Sequence, residues 1–167
     1  MPQNLKFYTL LTYFLIPIAL FFGFLDVLIL LSSLANPSAL IMVFIVACLV
    51  IYTFASFKFL KYGIEREIVQ TSKLKDWIKV NAYVSFFLCS LFFVNSISVL
   101  ISSNAVLLKF IDEFLTQQPN MPKEITSNLV LSILRGVSVF LLITGVIGIV
   151  HIRITLKLVK QSPHLFE

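Results

Sequence analysis

The chain has 167 residues, 59% of them hydrophobic and 13% charged, with a net charge of +5 and a mean hydropathy of +0.99. A soluble domain carries about a quarter charged residues, so a water-soluble fold is excluded, and lipid must be the solvent for most of the surface. The positive charge does not signal nucleic acid: the lysines and arginines flank apolar runs, where they set topology and attract anionic lipid headgroups.

A span needs roughly 20 apolar residues to cross the hydrocarbon. The first, about 8–34, is interrupted by Pro17, which removes a backbone donor and predicts a kink, and by Asp26. Lys6 is a lone positive residue and no small-x-small site closes the run, so it is read as a retained span rather than a cleavable signal. Asn36-Pro37-Ser38 is a turn in which Asn-Pro stops one helix and Ser38 can cap the next. The second span, about 39–60, closes on Lys58, Lys61 and Gly63. A basic loop follows at 61–76, and Trp77 marks the interface where the third span, about 77–103, begins.

Asn104 can cap a short amphipathic helix over 105–115 within an outer segment, 104–122. Lys109, Asp112 and Glu113 share its polar face; Val106, Leu107, Phe110, Ile111 and Phe114 share the apolar one. Gln117 to Pro122 breaks the pattern, with Pro122 suited to a first helical turn. The fourth span, about 124–152, continues as a helix towards Lys160, and 162–167 carries no structural signal. The expected fold is an all-α, four-helix transmembrane bundle of two hairpins, one domain over 1–167. Ten of the thirteen Lys and Arg residues lie at Lys6, in 58–79, or at Arg153, Lys157 and Lys160. Both termini and the 61–76 loop are therefore expected on the cytoplasmic side, with Lys58, Lys61, Lys73, Lys75 and Lys79 completing the inner basic collar.

Counted inward at ~1.5 Å per residue from the outer ends, Asp26, Asn95 and Arg135 all fall roughly 10–12 Å deep, on three different helices. A charge left alone there costs from ~3 to more than 10 kcal/mol, and a guanidinium can engage a carboxylate and an amide together. The expectation is an Asp26–Arg135 pair joined by Asn95. A second placement sets Arg135 at the outer interface, snorkelling, with Asp26 at the same level. Ser132 with Gly136, and Thr144 with Gly148 joined by Gly145, form small-residue faces that admit a neighbouring backbone, from this chain or from another protomer. Tyr13, Tyr52, Tyr62 and Tyr83 read as inner belt residues, with Asn81 and His151 near enough to water to need no partner.

No phosphate loop, HExxH, CxxC or nucleophile elbow occurs. Cys48 and Cys89 read as small buried hydrophobes, and no metal ligand set or cofactor is expected. An arginine does not release its proton, so Asp26 with Arg135 makes no acid–base pair and an enzyme is not expected. The expected role is a non-catalytic accessory, assembly or scaffolding subunit of a membrane complex or homo-oligomer in a bacterial inner membrane. The alternative is a small transporter or channel using Asp26, Asn95 and Arg135; a third reading is a lipid-interacting enzyme or sensor using the basic 58–79 face.

Overall fold

A computed structural model describes residues 3–118, 122 and 125–167, with side chains described from residue 5. The fold is all-α: α1 is Gln3–Ser33, α2 Leu40–Lys58, α3 Ser72–Ile101, α4 Asn104–Thr116 and α5 Ser127–Gln161. Four helical stretches, Leu5–Ser33, Pro37–Ile64, Ser72–Ile101 and Ser127–Gln161, are long and apolar enough to cross a membrane, and the chain is a multi-pass membrane protein. In lipid every backbone polar group must be satisfied within the protein, which is why uninterrupted helices carry the apolar sequence.

Two compact units are distinguished: residues 1–90 with 146–167, and residues 91–145. In the first unit α1 packs along α2, with Tyr13 meeting Phe57 edge-on and the Gly23 backbone close to Val50. The turn before α2 is a 3-10 turn, Pro37–Ala39, whose cap is Asn36 rather than Ser38; the Ser38 hydroxyl donates to Asn36 Oδ1 at 2.6 Å. An amide oxygen reaching two residues ahead is the usual Asx turn. Past Lys58 the helix widens into a π-helical turn, Phe59–Ile64. Gly63 is required there, because a Cβ would meet the Phe59 ring at 2.9 Å. Glu67 then reverses the chain with φ +54°, in the left-handed region.

Residues 162–167, without a structural signal in sequence, fold back on this loop. Pro163–Leu165 forms a 3-10 turn, Gln70 and Phe166 make a parallel bridge, and Gln70 N–H donates to the Leu165 carbonyl at 2.7 Å. Phe166 stacks on Phe59 with centroids 5.2 Å apart. The pairing partner lies nearly a hundred residues upstream, so no local pattern announces it.

In the second unit Leu107 and Ile111 of α4 pack on Leu131 of α5. They are one turn apart, and the rest of the expected apolar face, Val106, Phe110 and Phe114, points outward at four-residue spacing. The α4 cap is Ser103, whose hydroxyl accepts from Val106 N–H, rather than Asn104. Pro122 lies outside the helix: α5 starts at Ser127, with the Thr126 hydroxyl accepting from Leu129 N–H at 3.3 Å.

Within the first unit α3 and α5 meet at Gly148, where an added Cβ would lie 2.5 Å from Cys89 Sγ. Overpacking of this kind costs about 1–3 kcal/mol. Gly148→Ala should therefore lower the unfolding midpoint in detergent, and Cys89→Ala should restore much of it. Unchanged stability in Gly148→Ala alone would refute the close approach.

Candidate functional site

In the first unit each of three helices carries polar side chains on its buried face near the end that bears the basic residues. On α1 they are Tyr8 and Thr12; on α2, Tyr52; on α5, His151 and Thr155. Tyr8–Thr12 and His151–Thr155 are four residues apart, so each pair projects from one side of its helix. All five side chains are buried, at 1% exposure or less.

His151 is the hub. Its Nε2 lies 2.9 Å from Thr12 Oγ1 and its Nδ1 2.8 Å from the Tyr52 hydroxyl. The Tyr52 hydroxyl also lies 2.9 Å from Thr155 Oγ1, and Thr155 Oγ1 lies 3.2 Å from the Tyr8 hydroxyl. The threonines tie the cluster to backbone as well, Thr12 to the Tyr8 carbonyl at 2.8 Å and Thr155 to the His151 carbonyl at 2.9 Å. The Tyr8 ring stacks on the imidazole, centroids 4.9 Å apart and planes 15° apart, while Tyr52 meets it edge-on at 5.7 Å.

Hydroxyls both donate and accept, so a neutral imidazole is satisfied at both nitrogens without a carboxylate. If Thr12 donates to the Tyr8 carbonyl, Nε2–H donates to Thr12 and Tyr52 donates to Nδ1. If Thr12 donates to Nε2, Nδ1–H donates to Tyr52, which donates to Thr155. In either arrangement the cluster joins α1, α2 and α5 through side chains far apart in sequence.

Two sequence expectations are corrected here. His151 is fully buried and doubly hydrogen-bonded rather than near water, and Tyr52 is a core residue rather than a belt residue. Tyr13, Tyr62 and Tyr83 are exposed. The missed signal is the four-residue spacing of Tyr8 with Thr12 and of His151 with Thr155 at the basic ends of two spans, with Tyr52 at the matching end of a third.

Of the expected polar layer, Asp26 lies in the first unit, and Asn95 and Arg135 lie in the second. Arg135 Nη2 donates to the Ser102 carbonyl at 3.1 Å. That carbonyl follows the last residue of α3 and lacks a helical donor, and a cation at a helix C-terminus also meets the favourable end of the dipole. Arg135 Nε and Asp26 Oδ1 are buried without a hydrogen-bond partner. Among the described residues the ion pair is Lys61–Glu65, at 3.0 Å.

Asn95 is exposed, and its neighbour Ser96 is the buried residue, about 100° round the helix. Asn95 is also seven residues from Ser102, roughly 10 Å along α3 from the carbonyl that Arg135 reaches. The length of the arginine side chain carries its head to the helix end, so Asn95 and the guanidinium do not share a level.

Of the small residues, Gly148 makes the close approach to Cys89, and Thr144 and Gly145 are buried. Ser132 and Gly136 are exposed, and a Cβ on Gly136 would meet nothing within 4 Å. The basic residues divide among three surfaces of the first unit. Lys58 and Lys73 line a groove between α2 and α3; Lys75, Lys79 and Lys160 line another between α3 and α5; Lys157 lines a cleft of about 860 Å³ with Glu67 and His164. Lys61 is held by Glu65, and Arg153 is exposed. Among the described residues no set of His, Cys, Asp or Glu converges as metal ligands. No protein-family model, curated protein or solved structure matches the chain.

Hydrogen bonds between membrane helices couple by about 0.6 kcal/mol on average and 1.7 kcal/mol at most. A double-mutant cycle of Tyr52→Phe with Thr155→Val should give a coupling in that range, with Tyr83→Phe as a neutral control. Strict additivity would contradict the hydrogen-bonded cluster.

Proposed function

We propose that this protein is a non-catalytic accessory, assembly or scaffolding subunit of a membrane complex or homo-oligomer, placed in a bacterial inner membrane with both ends cytoplasmic. The observation that carries this reading is the closure of the His151 cluster. Its polar groups answer one another across three helices, which suits a rigid support. A catalyst or a permeation path needs groups that face a substrate. The open Ser132–Gly136 face of α5 supports the same reading, since small residues let a second backbone approach. The exposed Val106, Phe110 and Phe114 stripe of α4 adds apolar surface beside the same unit's core.

A second reading, a small transporter or channel, rests on a specific observation. In the second unit Ser96 Oγ, Arg135 Nε and Thr144 Oγ1 are all buried without hydrogen-bond partners, and Asp26 Oδ1 in the first unit is likewise unanswered. Buried polar atoms are normally paired, and orphans inside spans are places for water or an ion.

Cysteine cross-linking in native membranes separates the two. Gly136→Cys, in a background lacking Cys48 and Cys89, should give a cross-linked dimer or a cross-linked partner, whereas Leu28→Cys on an exposed face of α1 should not. A monomer under every condition, together with liposome flux abolished by Asp26→Asn, would replace the scaffold reading with the transport one.

A further inference from the structure

We propose that the groove between the end of α2 and the start of α3 binds one anionic phospholipid of the adjoining leaflet, with the phosphate between Lys58 and Lys73 and an acyl chain along α2. The groove has a volume of about 510 Å³, within the size range of small-molecule sites. Its polar lining is Lys58, Lys73 and Thr71, two cations and a hydroxyl with no carboxylate. Lys61, the next lysine along the chain, is already answered by Glu65, whereas Lys58 and Lys73 are exposed and make no ion pair among the described residues.

Charge gives the sign of the ligand, and the apolar wall gives its class. Val50, Ile51 and Phe54 line the groove on α2, with Val50 eight residues before Lys58 and so about 12 Å further along the helix. That wall runs into a span that crosses the hydrocarbon. A free anion would meet only the lysine end; a lipid fills the whole length, with its head at the cations and its tail against Ile51 and Phe54. Trp77 lines the same groove at 58% exposure, and exposed tryptophan sits at headgroup level. Lys73 is in the first turn of α3, where the positive end of the helix dipole adds to the attraction for phosphate. A second groove, on the α5 side of α3, collects Lys75, Lys79 and Lys160 in about 420 Å³. It carries more charge against a shorter apolar wall, which makes it the control for attraction by charge alone.

Trp77 is the single tryptophan of the chain, so its fluorescence reports this groove directly. The full chain is reconstituted at low ionic strength in bilayers with equal fractions of phosphatidylglycerol and phosphatidylcholine, brominated on the acyl chains of one lipid or the other. Brominated phosphatidylglycerol should quench Trp77 more strongly. At ~1 kcal/mol per lysine, the two cations correspond to a preference of about 30-fold. Lys58→Gln with Lys73→Gln should bring the two lipids level; both side chains are exposed, so unchanged helical circular dichroism should accompany the loss. Lys75→Gln with Lys79→Gln should leave the preference in place, and Ile51→Trp in a Trp77→Phe background should report the same preference from the tail end. Equal quenching by the two lipids in the unsubstituted chain, survival of the preference without Lys58 and Lys73, or its abolition by millimolar inorganic phosphate would each overturn the proposal.

Discussion

A histidine taken out of water needs an answer at both ring nitrogens, and the structure of the first unit follows from how His151 receives one. The ring nitrogens are met by Thr12 on α1 and Tyr52 on α2, and Thr155 on α5 meets the Tyr52 hydroxyl in turn. An apolar helix in lipid has little to fix its rotation, since lipid tails are as apolar as its side chains. Hydrogen bonds of defined direction supply what apolar contact cannot. The stacked Tyr8 ring and the edge-on Tyr52 ring add shape to the same point. Once α1, α2 and α5 are set, the remaining contacts are local: Gly148 brings α3 against α5, and Phe166 fits over Phe59 on the π-helical turn.

Both units hold answered and unanswered polar groups. In the first, the hydroxyls and imidazole around His151 form a closed set, the lysines that line the grooves lie outside it, and Asp26 Oδ1 and Ser85 Oγ are buried without partners. In the second, Arg135 caps the end of α3 through the Ser102 carbonyl, while Ser96 and Thr144 keep buried hydroxyls without partners. On the proposed reading the closed set is a support, and a phospholipid in the Lys58–Lys73 groove would give that support a lipid of its own. Direct contact with an anionic lipid at Lys58 and Lys73 would also hold the basic end of α2 against its leaflet, where the loop and residues 162–167 are packed together.

Hydropathy made the four spans and the short α4 legible, because length and apolar content alone decide whether a helix can cross lipid. The ends were less legible. The third helix begins at Ser72 rather than near 77, since Ser72-Lys73-Leu74-Lys75-Asp76 is helical although polar, and the fourth begins at Ser127 rather than near 124. Lys123 and residues 119–121 and 124 lie outside the described residues. Depth counting sets Arg135 roughly 10–12 Å deep and looks for an opposite charge, and the Ser102 carbonyl at a helix terminus is invisible to such a search. His151 was misread for a related reason. Its partners are 99 and 139 residues away, and a tyrosine or threonine inside an apolar run resembles a belt residue or a helix-bonded hydroxyl until the helices are brought together.

Solid-state NMR of the protein in bilayers tests the cluster most directly. With histidine, tyrosine and threonine labelled, and His164→Asn leaving His151 as the single imidazole, the ring nitrogens should show through-space correlations to Thr12 Cβ and to the Tyr52 ring, with Tyr8 ring carbons close to the imidazole face. Correlations of the imidazole to water or lipid protons in place of those residues would contradict the account.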